Sequence, residues 1–236
     1  MKPLYLTSPV RKGLGPCLRP GGETLTRHIL GLLRPGPDHT VLDAGCGTGA
    51  TMGMLREYGA GRLLGLDLDT GLLGEALRCG ARIARADLAR LPLLSASMDM
   101  VLCECVWNLT DKPQVLREFA RVLRRGGTLA LSDIYLQNPT AGSHAASWPS
   151  RSCFFQATDL ATVREMVTTA GFEVMTLEDH SRLLKQTAAE FVFAHGSLQG
   201  FWQAVLGDRE RADAVCAAAI ATRPGLFLLT ARRSIS

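Results

Sequence analysis

The stretch that decides the fold is Val41-Leu42-Asp43-Ala44-Gly45-Cys46-Gly47-Thr48-Gly49. It follows a proline and glycine break and begins with apolar residues, a pattern typical of a buried strand. Three glycines at alternate positions then predict a tight turn that leads into a helix. Because glycine has no Cβ, such a turn lets the backbone pass close to a bound ligand. We therefore predict a binding turn at the carboxyl end of the strand, formed by Gly45, Cys46, Gly47, Thr48 and Gly49.

The glycine spacing alone leaves two classes of ligand open. Gly45, Gly47 and Ala50 also fit G-x-G-x-x-A, a weak dinucleotide-binding pattern. Asp43 separates the two classes, because a carboxylate at the strand end would repel a pyrophosphate in a poorly screened crevice. The same charge would attract a cationic ligand. Asp43 therefore favours a positively charged ligand, and a nucleotide-dependent oxidoreductase is the alternative.

A second acid follows at the end of the next predicted strand, Arg62–Asp67. Asp67 lies eighteen residues after Gly49, a separation at which an acid can accept hydrogen bonds from both hydroxyls of a ribose. We predict that Asp67 is the ribose ligand and that Leu68 lies beside it in the binding site. The alternative for Asp67 is a strand-end turn or a helix cap, positions that aspartate favours.

Two further predicted strands also end in acids. The segment 81–86 alternates small apolar residues with larger ones, and Asp87 and Leu88 close it. The segment 98–106 is almost continuously apolar, as in a central strand that is buried on both faces. Glu104 lies at its carboxyl end, beside the glycine turn. We expect Glu104 to face the ligand or the substrate, and an exposed strand end is the alternative.

The rest of the chain alternates helices and strands. Asp111 and Pro113 predict a helix start, Arg124 and Arg125 suit its last turn, and Gly126 follows as its end. Further elements are predicted as strands at 128–133, 172–177 and 225–230 and as a helix at 159–170. This order predicts an α/β fold, a Rossmann-like, seven-stranded, mostly parallel sheet with helices on both faces.

Five segments of the core carry a resemblance to a known family: VLDAGCGTGA, LLGLDLD, RADLARLPL, SMDMVLCECV and LREFARVLRRGGTLALSD. Through them, residues 40–136 resemble the class I S-adenosylmethionine-dependent methyltransferases, in particular those of ubiquinone-biosynthesis and arsenite type. The resemblance implies S-adenosyl-L-methionine as cofactor, and its sulfonium and ammonium groups suit the charge of Asp43. It also implies an antiparallel last strand and methyl transfer by in-line displacement.

The resemblance assigns further roles to single residues. It implies that Asp87 accepts a hydrogen bond from the adenine amino group and that Leu88 packs against the ring. The alternative for Asp87, as for Asp67, is a strand-end turn or a helix cap. Glu104 is expected near the methionine moiety, and Cys46 stands where the family commonly has cysteine. The methyl acceptor stays open, because the family modifies carbon, nitrogen, oxygen, sulfur and arsenic. We expect a small-molecule acceptor, and a regulatory protein that binds the cofactor without catalysis is the alternative.

The domain organisation is predicted as one methyltransferase domain over residues 1–236. It comprises an N-terminal arm (1–39), a cofactor-binding core (40–136) and a helical cap (178–222) inserted before the last strand. The arm resembles the segment that folds over the cofactor in such enzymes. Tyr5, Cys17 and Arg19 of the arm could reach the site, and a surface or packing role is the alternative for each. The cap has two apolar helical stripes, as in a lid or a dimer surface, and we expect it to shape the acceptor pocket.

One segment of the cap offers a general base. Residues 178–182 bring together an acid, an imidazole, a hydroxyl and a guanidinium. His180 could take a proton from the acceptor, with Asp179 setting its tautomer. The alternative is a helix start, with Asp179 or Ser181 as cap.

Composition limits the remaining function classes. The net charge is +4 and basic residues are scattered without interleaved aromatic residues, so no nucleic-acid partner is predicted. No apolar run approaches the eighteen residues of a membrane helix, and we expect a cytoplasmic protein, with a homodimer left open as its oligomeric state. Seven scattered cysteines argue against a disulfide scaffold, and no metal site is predicted. Capture of a soft metalloid is the alternative role of Cys17, Cys103, Cys105 and Cys153.

Overall fold

The computed structural model describes residues 3–79, 82–139 and 146–235. Within these residues the strands are β1 (Thr40–Ala44), β2 (Arg62–Asp67), β3 (Arg82–Arg85), β4 (Met98–Glu104), β5 (Leu123–Leu136), β6 (Phe172–Asp179) and β7 (Pro224–Arg233). The α-helices are α1 (Ser8–Leu14), α2 (Gly22–Leu33), α3 (Ala50–Glu57), α4 (Thr70–Ala76), α5 (Lys112–Val122), α6 (Leu160–Thr169), α7 (Ser181–His195), α8 (Leu198–Leu206) and α9 (Arg209–Thr222). Of the predicted third strand, Ala81 lies outside the described residues.

The strands form one seven-stranded sheet in the order β3-β2-β1-β4-β5-β7-β6. The pairs from β3 to β5 are parallel, whereas β7 runs antiparallel to both β5 and β6. The strand order reverses between β1 and β4, the position at which open α/β sheets bind ligands at their carboxyl edge. The predicted fold class, including the antiparallel last strand, is confirmed.

Helices cover both faces of the sheet because each presents one apolar face to it. The carboxylate of Asp111 accepts a hydrogen bond from the Gln114 amide at 3.1 Å and so caps α5, as predicted. Helix α5 then buries Val115, Leu116 and Phe119 completely on one side of the sheet. On the other side, α2 buries Leu25, Ile29 and Leu30.

The fifth strand begins earlier than the sequence predicts. It starts at Leu123 instead of residue 128, so Arg124 and Arg125 lie in β5 and not in the last turn of α5. Gly126, with φ of +75°, allows the chain to kink within the strand, and the β4–β5 register shifts at the same level. The glycines therefore mark an irregularity of the strand and not the end of the helix.

The arm and the cap close over the carboxyl edge of the sheet. Helices α7, α8 and α9 form the cap, and α1 of the arm packs against α7 and α8. Their shared core contains Val10, Trp148, Phe191, Phe201, Trp202, Ala212, Val215 and Ala218. In the described part of the chain, no helix has the length and apolar character that crossing a bilayer requires.

Candidate functional site

A cavity lies at the carboxyl edge of the sheet, where the strand order reverses. Its empty volume is about 1180 Å³, counting the space at its open mouth. The inner wall consists of the glycine turn and the ends of β2 and β4, and it includes Gly45, Cys46, Gly47, Thr48, Asp67 and Glu104. The arm and the cap form the outer wall. The cavity therefore brings together segments that are far apart in the sequence.

The glycines of the turn are required for different structural reasons. Gly45, Gly47 and Gly49 have φ of +84°, +52° and +82°, which favours glycine at each position. A Cβ at Gly45 would lie 2.5 Å from Val106, so this glycine is needed for packing. A Cβ at Gly47 would meet only Leu72, at 4.0 Å, and would enter open space. Gly47 is thus the place where a ligand can approach the backbone.

Asp67 lies in the cavity wall with its carboxylate already oriented. One oxygen accepts a hydrogen bond from the Gly47 amide and the other from the Asp69 amide, both at 2.9 Å. Each carboxylate oxygen has a second lone pair, so Asp67 can accept two more hydrogen bonds. Thr48 connects the turn to the arm, since its hydroxyl donates to the Pro16 carbonyl at 2.6 Å.

Five predicted cofactor residues lie outside the cavity lining: Asp43 and Gly49 in β1 and the glycine turn, and Leu68, Asp87 and Leu88 after β2 and β3. Leu68 is 55% exposed, and Leu88 is buried in the core below the sheet edge. Asp87 is exposed, and its carboxylate accepts a hydrogen bond from the Ala89 amide at 2.9 Å, as in a turn. The roles of Leu68, Asp87 and Leu88 at the adenine end stay predictions.

A buried ion pair between Arg19 and Glu104 forms the floor of the cavity. Both guanidinium-carboxylate contacts are short, 3.1 Å and 3.0 Å, and both residues are less than 10% exposed. Thr26 and Thr51 each donate to the Glu104 carboxylate at 2.9 Å. Burial opposes the charge of Arg19, but the Glu104 carboxylate outweighs it and the pKa of Arg19 is raised. The pair is therefore a fully compensated charge pair facing the cavity.

Asp43 is buried next to this pair and outside the cavity lining. Its Oδ2 atom has no hydrogen-bond partner among the described residues. Burial, followed by repulsion from Glu104, raises the pKa of Asp43 to about 7, although Arg19 acts in the opposite direction. Asp43 thus has one oxygen that can still accept a hydrogen bond, and it adds negative charge close to the ion pair when it is ionised.

The outer wall of the cavity is almost entirely apolar. Phe154 comes from the segment before α6, and Phe191, Phe201 and Trp202 come from the cap. The rings of Phe191 and Phe201 stack at 4.1 Å, and Trp148 stacks behind Phe154 at 4.5 Å. Polar atoms in this wall are few and uncharged, and they include the hydroxyls of Ser152 and Thr187 and the sulfurs of Cys17, Cys105 and Cys153.

The six cysteines whose side chains the structure describes form no disulfide, and their positions differ. Cys17, Cys105 and Cys153 line the cavity, whereas Cys103 is buried away from it. Burial raises the pKa of Cys103, Cys105 and Cys153 well above its usual range, so these thiols stay protonated. Among the described residues, no three sulfurs converge closely enough to hold one ion.

His180 lies at the N-terminus of α7 and is not part of the cavity lining. Its Nε2 atom lies 2.8 Å from the carboxylate of Glu178. The expectation that Asp179 sets the tautomer is wrong, because the Asp179 carboxylate accepts from the Ser181 amide at 2.8 Å instead. The strand alternates its side chains, which directs Glu178 and Asp179 to opposite sides.

The sequence identified some of the remaining site residues and missed others. Tyr5, Cys17 and Arg19 of the arm do line the cavity. Thr26 and Thr51, which hold Glu104, were not predicted. Their only signal is a hydroxyl on the buried face of a helix, where threonine also serves packing.

Comparisons with known proteins agree with this geometry. Residues 42–131 match the family described as "Methyltransferase domain". An O-methyltransferase of Pyrenophora dematioidea is 29% identical over 170 residues, covering 66% of this chain and 62% of that protein. Phosphoethanolamine N-methyltransferase 2 of Haemonchus contortus, solved with S-adenosyl-L-methionine, has a TM-score of 0.76 at 18% identity, covering 96% of this chain and 56% of that chain. The cyclase SpnF has a TM-score of 0.71 at 23% identity, covering 91% and 81%.

The chain therefore contains a class I S-adenosylmethionine-dependent methyltransferase domain, as the sequence predicts. S-adenosyl-L-methionine is the cofactor of this class. The subtype, ubiquinone-biosynthesis or arsenite type, stays a prediction. The chain spans less than two thirds of the length of the curated relatives that it matches.

Proposed function

We propose that this protein transfers a methyl group from S-adenosyl-L-methionine to a small, uncharged and largely apolar acceptor. The observation that carries the proposal is one continuous cavity with two unlike ends. Its inner end combines the glycine turn with two carboxylates, and its outer end is formed by aromatic and aliphatic side chains. The inner end suits a polar, cationic cofactor, and the outer end suits an apolar acceptor.

The inner end offers a partner for each polar part of the cofactor. Asp67 can accept from the ribose hydroxyls while its other lone pairs keep the Gly47 and Asp69 amides. Glu104 would pair with the ammonium group of the methionine moiety, and Arg19 with its carboxylate. The unpartnered oxygen of Asp43 adds negative charge close by. The donor and acceptor set therefore fits S-adenosyl-L-methionine.

The adenine end of the proposed site rests on residues beyond the cavity lining. Asp67 pairs with Arg85 in the β2–β3 ladder, so the chain after β3 runs alongside the end of β2. Leu68, Asp87 and Leu88 follow these two strand ends. We propose that an adenine ring extending along this edge meets them, as the family resemblance implies.

The acceptor end argues against a charged acceptor. Among the described lining residues Arg19 is the only cation, and it lies at the cofactor end, where it pairs with Glu104 and is proposed to bind the cofactor carboxylate. A phosphorylated acceptor would need a free arginine, lysine or backbone nest, and burying its charge without one is costly. Stacked rings and aliphatic side chains instead provide area for an apolar molecule.

Catalysis is proposed to depend on positioning and exclusion of water. When bound, S-adenosyl-L-methionine supplies an activated methyl group, so the protein needs little covalent chemistry. The arm and the cap shield the reacting groups and align the acceptor for in-line displacement. The predicted base, His180, lies outside the cavity lining, so we propose this role only for an acceptor that extends to the start of α7.

A turnover assay of His180→Ala tests that base. If His180 takes the acceptor proton, turnover falls about a hundredfold with cofactor affinity intact. Turnover within about threefold of the unmodified protein contradicts the role and leaves His180 as the helix start. His195→Ala, also on α7, is the matched control.

Binding and turnover must be measured separately, because the same fold occurs in a protein described as a cyclase. Calorimetry should show binding of S-adenosyl-L-methionine and of S-adenosyl-L-homocysteine, and no binding of NADH. A tritiated-methyl screen should then label apolar small molecules and leave phosphoethanolamine unlabelled. NADH binding without either sulfur compound contradicts the cofactor assignment. Cofactor binding without any labelled product supports the regulatory alternative.

Two wider expectations remain proposals. A cytoplasmic location and a homodimer follow from composition and from the apolar cap stripes, and neither is needed for the site. Centrifugation of the full chain would give its oligomeric state.

A further inference from the structure

Three side chains that can bind a metal ion converge outside the cavity lining. His28 of α2 and His180 at the start of α7 both point their Nε2 atoms at one carboxylate oxygen of Glu178, at 2.7 Å and 2.8 Å. One donor atom from each residue lies within 4.8 Å of the other two. In the described part of the chain, no other group of three such residues comes this close. None of the three lines the cavity.

We propose that His28, Glu178 and His180 form a binding site for a divalent transition-metal ion, zinc in the first instance. Two imidazole nitrogens and one carboxylate are a ligand set that zinc, copper, nickel and cobalt accept. Calcium and magnesium prefer oxygen ligands throughout, and this set has too few. The side chains are 44%, 33% and 21% exposed, so a water molecule can complete a tetrahedral shell.

The distances between the ligand atoms are close to those that zinc needs. With bonds of about 2.0 to 2.2 Å, neighbouring ligands of a tetrahedral zinc ion lie about 3.3 to 3.5 Å apart. The present contacts of 2.7 and 2.8 Å must therefore widen by only about half an ångström or slightly more. Rotation of partly exposed side chains supplies this movement.

The backbone beneath the cluster is fixed by regular structure. Glu178 lies in β6, in register with Leu228 of β7. The His180 amide donates to the Leu226 carbonyl at 2.7 Å, which anchors the junction between β6 and α7. His28 precedes Ile29, which is fully buried under α2. The three ligands thus stand on elements that are docked before any ion binds.

The position of the cluster gives the ion a structural consequence. Helix α2 carries Thr26, which bonds to Glu104 on the cavity floor, and α7 carries Leu184 and Ala188 of the acceptor wall. A bound ion would connect these two helices directly. It would stabilise the closed arrangement of arm and cap from outside the cavity, and while bound it would prevent His180 from acting as a base.

Zinc titration of the full chain tests the site. The chelator-treated protein is titrated with zinc chloride by calorimetry, and cobalt chloride is used for visible spectra. We expect one ion per chain and a rise in melting temperature with zinc. His28→Gln and His180→Gln should each weaken zinc binding by about a hundredfold or more. Removing only a residue that hydrogen-bonds to a metal ligand already costs about tenfold to a hundredfold, and these substitutions remove a ligand itself. His195→Gln, a histidine outside the cluster, should bind zinc normally.

Cobalt separates this site from the cysteines. We expect weak visible bands without the strong near-ultraviolet absorption of a sulfur-to-cobalt bond, because no thiol belongs to the cluster. The proposal is overturned if the chelator-treated protein binds no zinc. It is equally overturned if one ion binds with affinity unchanged in His28→Gln and His180→Gln. His28 is 44% exposed on α2, so His28→Gln should fold normally, and circular dichroism checks this.

Discussion

At the scale of single residues, the buried carboxyl group of Asp43 lowers the stability of the folded protein. Its pKa is raised to about 7 by burial and then by Glu104, whereas an unfolded chain holds it near 3.8. Between these values the folded state binds the extra proton, so stability must fall as pH rises from about 4 to about 7. The loss levels off above about pH 8, where Asp43 is ionised in both the folded and the unfolded state. The fold is therefore less stable when Asp43 carries its charge.

Asp43→Asn should therefore stabilise the protein above pH 7. We expect a gain of roughly 1 to 3 kcal/mol at pH 8 that shrinks to nothing near pH 4. Urea unfolding at several pH values measures it. Asp133, whose pKa burial also raises to about 7, is present in both proteins and cancels from the difference. Stability curves of the two proteins that stay parallel across this range would refute the pKa assignment.

Asp67 is the residue on which cofactor affinity should depend most directly. Asp67→Ala removes the acceptor for two ribose hydroxyls, a loss of roughly 2 to 4 kcal/mol after partial replacement by water. Calorimetry with S-adenosyl-L-homocysteine gives the affinity. Asp38 is an exposed acid just before the amino end of β1, and Asp38→Ala should bind S-adenosyl-L-homocysteine normally. Unchanged affinity in Asp67→Ala would mean that the carboxylate only holds the Gly47 amide.

At the scale of elements, the ion pair between Arg19 and Glu104 joins the arm to the end of β4. Arg19→Met would leave Glu104 buried without a counter-charge and should destabilise the fold by about 3 to 5 kcal/mol. Adding Glu104→Gln should recover at least half of that loss. Arg124→Met, which breaks a half-exposed pair with Asp99, should cost no more than about 1 kcal/mol. Urea unfolding compares the variants, and equal losses for the two arginines would contradict this account.

The sheet could be predicted because its signals are local. Strands β1, β2 and β4 are largely apolar and lead into a glycine or end in an acid, and these boundaries need no knowledge of distant residues. Helix α8 was not predicted, since it is only nine residues long and Phe201 and Trp202 extend its apolar character around the axis. The early start of β5 was missed because Gly126 serves a bulge as readily as a helix end.

The candidate site was predictable only in part, for a reason of sequence distance. The glycine turn and Asp67 are adjacent in one βαβ unit, so their spacing carries information. Arg19 and Glu104 lie 85 residues apart, and His28 and Glu178 lie 150 apart. Which of many polar residues meet across such distances depends on strand order and on the folding of arm and cap. No local pattern records it.

At the scale of the whole molecule, the arm and the cap meet over the cavity. The arm reaches it through α1 and the turn before α2, and the cap reaches it through α7 and α8. The cofactor end is built by the core, and the acceptor end by these two covers. Cofactor binding and acceptor binding should therefore respond to different substitutions.

Neighbouring alanines on α7 allow this separation to be tested. Ala188 lines the acceptor end, and Ala189 faces solvent. Ala188→Phe adds a ring to the acceptor space and should lower methyl transfer at least tenfold, most for the bulkiest acceptors, because overfilled cavities exclude ligands before they unfold the protein. The affinity for S-adenosyl-L-homocysteine should stay within about threefold, since no cofactor contact is proposed for α7.

Ala189→Phe adds the same ring one residue along the helix and should leave both methyl transfer and cofactor affinity unchanged. Calorimetry gives cofactor affinity, and the tritiated-methyl assay gives transfer for a series of acceptors of increasing size. Equal losses of cofactor affinity and transfer in Ala188→Phe would mean that one undivided site lies under the cap. Full transfer with large acceptors would mean that the acceptor enters elsewhere. A selective loss of transfer, steeper for larger acceptors, would show that α7 sets the size of the molecule that is methylated.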